Sequence, residues 1–147
     1  RLIISASEDI GLANPNALML ANETFSAVER VGWPESRIIL SQCVIYLATS
    51  PKSSSAYDAI NAAQKLVQQT GNLETPDHLK NASSALAKDL GHGKGYLYPH
   101  DYPNSFIKQE YLPKEISGTT LWKASDSLKE QQLSAQQQAL WKGKYEL

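Results

Sequence analysis

The chain has 147 residues, 41% of them hydrophobic, with 14 basic against 15 acidic side chains and a single cysteine. That length suffices for one domain burying roughly 70% of its unfolded surface without metal or disulfide staples. A net charge of −1 excludes a global basic field for nucleic acid, and one thiol excludes an internal disulfide.

Arg1 stands where an initiator methionine would, and Leu2, Ile3 and Ile4 enter an apolar helical pattern without a cap. The expectation is a piece cut from a longer chain, opening on the end of a helix that runs to Ile10 and is capped by Gly11. Asn14 as N-cap and Pro15 as first residue start the next helix, in which Leu18, Ala21, Phe25 and Val28 recur on one face as far as Gly32.

From Trp33 to Pro51 two prolines bracket a run in which only Ser41 and Gln42 interrupt the apolar residues from Ile38 to Ala48. Such a helix is expected to be buried. At about 15 residues it falls short of the ~20 that a bilayer needs, so protein should cover it. Cys43, inside it, reads as a small buried hydrophobe.

Ser55 and Asp58 have capping-box spacing and open a helix with the stripe Ala56, Ala59, Ile60, Ala63, Leu66 and Val67, ending at Gly71. Its small side chains predict tight packing on the preceding helix. Thr75 and Pro76 then predict a further helix through Leu79, Ala82, Leu86 and Leu90 to Gly91, with His78 partly exposed on it. The class is all-α.

Gly91 to Pro103 holds three glycines, two prolines and three tyrosines and predicts an ordered loop, its tyrosines able to lay their rings on the helical body. Phe106, Ile107, Tyr111 and Leu112 suggest a short amphipathic turn ended by Pro113, and Ser127 with Glu130 begins a Gln-rich helix to about Lys142. Leu133, Leu140 and Trp141 give that helix only a narrow contact, so it should dock at an edge, meet a neighbouring copy, or fray.

Chemistry is sparse. The Gly93-Lys94-Gly95 run lacks Walker A spacing. His92, His100 and Asp101 have no evident fourth ligand for a metal, and no nucleophile has a base beside it in sequence, so neither catalytic nor metal residues are expected. Lys94, Tyr96, Tyr98, His100 and Tyr102 combine rings and cations in the manner of a single-strand or partner-binding loop, but the reading preferred from sequence is that the alternate tyrosines are packing anchors.

Three stretches carry a family resemblance: Arg-Leu-Ile-Ile-Ser-Ala-Ser-Glu-Asp-Ile-Gly-Leu-Ala at 1–13, Ser-Pro-Lys-Ser at 50–53, and Gly-Lys-Gly-Tyr with Tyr-Pro-His-Asp-Tyr-Pro at 93–103. They resemble the C-terminal region of the replication-associated recombination protein A family of AAA+ ATPases. It is also called MgsA and has a eukaryotic relative in the Werner-helicase-interacting protein. The resemblance runs to about Pro113 and weakens in the tail.

It implies a compact multi-helix domain similar to a clamp-loader collar, residues 1–113, with 114–147 as a C-terminal extension of the same domain. It further implies homotetramerisation, a cytoplasmic and nucleoid-associated parent that binds DNA and single-strand-binding protein at replication forks, and no membrane role. ATP and magnesium would belong to an ATPase core absent from these residues, leaving no cofactor here. Leu18, Phe25, Tyr46 and Tyr57 are the expected contacts between copies.

Overall fold

Small side chains decide how the first half packs. A computed structural model describes residues 1–145; the last two residues of the 114–147 extension lie outside the described residues. All the regular structure described is helical. Helix α1 (Leu2–Ser5) runs on as a π-helical turn, Ala6–Ile10, and a 3₁₀ turn, Gly11–Ala13, before α2 (Asn16–Val31), α3 (Ser36–Thr49) and α4 (Ser55–Thr70). The second half is irregular apart from α5 (Ala85–Asp89), short 3₁₀ turns, and α6 (Leu128–Trp141).

The core is thin: Ala6, Ile10, Ala13, Ala17, Ala21, Cys43 and Leu47. Ala17 and Ala21 let α2 lie closely on α3, the principal helix pair of the molecule. The predicted face of α2 is therefore turned by one residue. Ala17, Ala21 and Thr24 face inward, while Leu18 and Phe25 stay 43% and 55% exposed. Volume excludes them, because two close helix axes leave room for alanine but not for leucine or phenylalanine.

The expectation of a buried α3 fails within the described chain. Ser36, Cys43 and Leu47 are buried on one stripe, whereas Ile38 and Ile45 on the far side are 60% and 61% exposed. Nor does α4 pack mainly on α3; its chief partner is the Gly11–Ala13 turn. Gly11 is required there: its φ is +49°, and a Cβ would meet the Ser53 carbonyl oxygen at 2.9 Å.

Local chemistry departs from sequence expectation at several ends. The cap expected at Asn14 shifts by one residue: Pro15 takes the N-cap position, α2 starts at Asn16, and the Asn14 amide does not cap it. It crosses to α3 and donates to the Tyr46 and Ser50 hydroxyls, both at 3.0 Å. Pro34 sits before α3 instead of inside its first turn. Ser55 lies inside α4, and Ser54 at the cap donates to Asp58 at 2.8 Å.

The single helix expected from Thr75 to Leu90 is broken. Pro76 is extended (ψ 139°), a 3₁₀ turn follows at Asp77–Leu79, and Ser84 restarts the chain as α5 by accepting from the Ala87 amide. Leu86 and Leu90, spaced for burial, are 69% and 63% exposed because no element covers them. The turn expected around Phe106 to Leu112 is irregular chain.

Helix α6 begins as predicted. Ser127 accepts from the Glu130 amide at 3.3 Å, but the Glu130 carboxylate reaches past Ser127 to the Ser125 amide at 2.9 Å. Its buried side chains are Glu130 and Ser134, so no apolar stripe seats it.

Candidate assembly face and binding loop

Two shallow apolar grooves flank the α2–α3 pair. On one side the outer face of α3 offers Ile38, Ile45 and Tyr46, and the surface continues across Gln42 and Tyr46 onto Met19 and Leu20 of α2. Tyr46 is half-buried and held by Asn14, so its ring is a fixed part of that face. On the other side Ile3, Ile4 and Leu18 meet Tyr57 and Ile60 of α4.

Of the four residues expected between copies, Leu18 and Tyr57 share one groove and Tyr46 lines the other, while Phe25 is exposed outside both. Ile38, Ile45, Met19 and Ile60 were not singled out. Their signal was available in the sequence: a helix that is apolar all round leaves one face uncovered when its subunit supplies only one neighbour.

The 91–103 loop is fastened by its backbone. Gly93, at φ +72°, donates its amide to the Asp77 carbonyl at 2.7 Å. The Gln109 carboxamide clamps Leu97 on both sides, accepting from its amide at 3.3 Å and donating to its carbonyl at 3.0 Å. The tyrosine rings are unequally placed: Tyr96 and Tyr98 are 44% and 52% exposed, and Tyr102 is half-buried. Gln109 was missed because a lone glutamine carries no positional signal in sequence.

The five loop residues do not converge on one spot. Tyr98 and His100 are in tilted ring contact with centroids 5.1 Å apart. Lys94 instead lines a cleft of about 770 Å³ between 72–80 and 110–115, where Lys80 is already paired with Asp77 at 2.8 Å and Glu74 at 3.0 Å.

Glu110 closes the cleft. Its carbonyl accepts from His78 Nε2 at 2.7 Å, and its carboxylate takes the Tyr111 and Leu112 amides, the Ser117 hydroxyl, the Tyr145 hydroxyl and Lys144 at 3.4 Å. Burial pushes this carboxyl up, but the Ser117 hydroxyl, the Leu112 amide and Lys144 together outweigh it and hold the pKa at about 2. Among the described residues no three His, Cys, Asp or Glu side chains gather as metal ligands would.

The family described as the C terminal of MgsA AAA+ ATPases matches residues 1–141. A replication-associated recombination protein A from Coxiella burnetii is 44% identical over 119 residues, covering 80% of this chain and 27% of that protein. The protein of the same name from Bacillus subtilis is 42% identical over 123 residues, covering 84% and 29%. An uncharacterized protein of Thermotoga maritima is 41% identical over 145 residues, covering 99% and 23%. The chain thus spans about a quarter of the length of the curated relatives it matches.

Proposed function

This chain belongs to the MgsA AAA+ ATPase C-terminal family, and from that premise we propose that it is the homo-oligomerisation domain, forming a tetramer, of an ATPase acting in replication-fork maintenance and recombination. It contains the C-terminal helical part of such a protein and not the ATPase core, so ATP and magnesium would be bound elsewhere in the parent. The parent would act in the cytoplasm, at the nucleoid, with DNA and single-strand-binding protein as partners. None of the described helices is long and apolar enough to cross a membrane.

The observation that carries this proposal is the uncovered face of α3. Ile38 and Ile45 are each about three-fifths exposed on a helix whose opposite stripe is fully buried, and Met19 on α2, 68% exposed, extends the same surface. Contiguous apolar surface of this kind marks an interface, and interfaces between identical subunits are the most apolar class. Sedimentation equilibrium is the test. The chain should sediment as an assembly at about tens of micromolar, and Ile38→Asp with Ile45→Asp should reduce it to single chains with unchanged helicity. A wild-type monomer at that concentration refutes the proposal.

The exposed Tyr96 and Tyr98 favour a second role, docking of single-stranded DNA or a protein partner on the 91–103 loop. Replacing Lys94, Tyr96 and Tyr98 together by alanine should weaken binding of a labelled single strand about tenfold or more, since each stacked base contributes ~1–3 kcal/mol. Unchanged anisotropy titrations would remove that role.

A further inference from the structure

Among the described residues no hydrogen bond or ion pair runs directly between the helical body, residues 1–71, and the loop-bearing segment, residues 72–118. Both are tied instead to the C-terminal stretch. At its body end Trp122 Nε1 donates to the Ser55 hydroxyl at 3.1 Å, across 67 residues of sequence. Glu130, with no exposed surface, sits among Ser53, Ser55 and Ser125, and α6 packs on the Gly11–Ala13 turn.

At the loop end Trp141 is edge-on to Phe106 at 5.1 Å and Tyr111 at 6.5 Å. Lys144 lies 5.0 Å from the Trp141 ring centroid and donates to the Gln109 carbonyl at 3.2 Å. Gln109 is the residue whose carboxamide clamps Leu97 in the middle of the 91–103 loop. The stretch is thus tied at one end to the Ser53–Ser55 corner by Trp122 and Glu130, and at the other to the loop segment by Trp141 on Phe106 and Tyr111 and by Lys144 on Gln109.

We propose that residues 119–145 are a conformational strap: seated on the Ser53–Ser55 corner, they hold the 91–103 loop at a fixed place relative to the α2–α3 face, and unseating frees the loop segment as a unit. Glu130 suits the seat because its carboxylate is buried there with Oε2 on the Ser125 amide and Oε1 without a hydrogen-bond partner, so it depends on the polar Ser53–Ser55 corner packed beside it. Lifting residues 119–145 takes Glu130 away from Ser53 and Ser55, while the Ser125 amide belongs to the same stretch and moves with it, so the seat is held or lost at the Ser53–Ser55 corner. Neither the subunit number nor what the loop binds enters this inference.

Amide hydrogen exchange on the whole chain tests it. Trp122→Phe removes the N–H to Ser55 and trims a half-buried ring, and Glu130→Ala removes the buried carboxylate; neither side chain has a hydrogen bond to residues 72–118. Both variants should speed exchange of 93–112 by about tenfold or more while the α2 and α3 amides keep their wild-type rates. Faster exchange confined to α6 and 53–55, with 93–112 unchanged, overturns the proposal. If Glu130→Ala loosens α2 and α3 as well, the milder Trp122→Phe decides by the same two readouts.

Discussion

Glu110 joins three separate stretches of chain, the His78 turn, the 111–117 turn and the Lys144–Tyr145 end, and only its ionised form can accept from all of the donors at its carboxylate. With its pKa held at about 2 against an ordinary 4.5, the folded state binds this proton less readily than the unfolded chain. The stabilisation is therefore fully present above about 4.5 and is lost as pH falls towards 2. Glu130 is shifted in the same direction, its serine and backbone donors outweighing the burial that pushes it up. Thermal melts from pH 6 to 2, roughly spanning that window, should show the melting temperature falling below about 4.5. Glu110→Gln should start lower at pH 6 and decline less steeply, the two curves drawing together towards about pH 2, where the wild-type carboxyl is half protonated and most of its contribution is lost. Parallel curves would show that the carboxylate carries none of the acid sensitivity.

At the scale of elements, α6 shows how a helix is placed without an apolar stripe. Its ends hold it, Ser127 and Glu130 at one and Trp141 at the other, while Ser134 is the other side chain it buries. Removing the cap by Ser127→Ala should cost about 1 kcal/mol, visible as a lower urea midpoint with unchanged slope. Sequence made the ends of α2, α3 and α4 legible, since Gly32 and Gly71 take the positive φ that stops a helix and proline brackets α3. It made the facing of those helices less legible. Leu18 and Phe25 look like core residues by spacing, and only the closeness of α2 to α3 turns alanine inward in their place. The 75–90 stretch misleads for a related reason: helical spacing of Leu79, Ala82, Leu86 and Leu90 is decisive only where another element receives that face. Here His78 bonding to Glu110 and Asp77 accepting from Gly93 impose a turn. The loop residues were legible by type, whereas their scatter between a cleft and an exposed ring pair depends on Gln109, which pattern alone does not reveal.

The whole molecule exposes 10376 Å², roughly 2,900 Å² more than the ~7,500 Å² expected of a compact monomer of 16.2 kDa. Among the described residues four of the seven buried hydrophobic ones are alanines, which contribute little apolar area each. A core this small stabilises a lone chain only marginally, since burial contributes about 25 cal/mol per Å² against roughly 1–2 kcal/mol of backbone entropy per residue. Obligate interfaces bury on the order of 2,000–5,000 Å² summed over both partners, roughly 1,000–2,500 Å² from each chain, so the excess on this single chain is large enough to supply one. If the α3 face is closed by further copies, folding and association are one equilibrium, and stability must rise with concentration by mass action. Melting should therefore move upward by several degrees, roughly 5 °C or more, between about 1 and 100 micromolar chain. The Ile38→Asp, Ile45→Asp variant should melt at one temperature throughout, close to the wild-type value at the dilute end, because it loses association while its buried stripe of Ser36, Cys43 and Leu47 is untouched. A wild-type melting temperature independent of concentration would mean that the exposed face contributes nothing to folding through association.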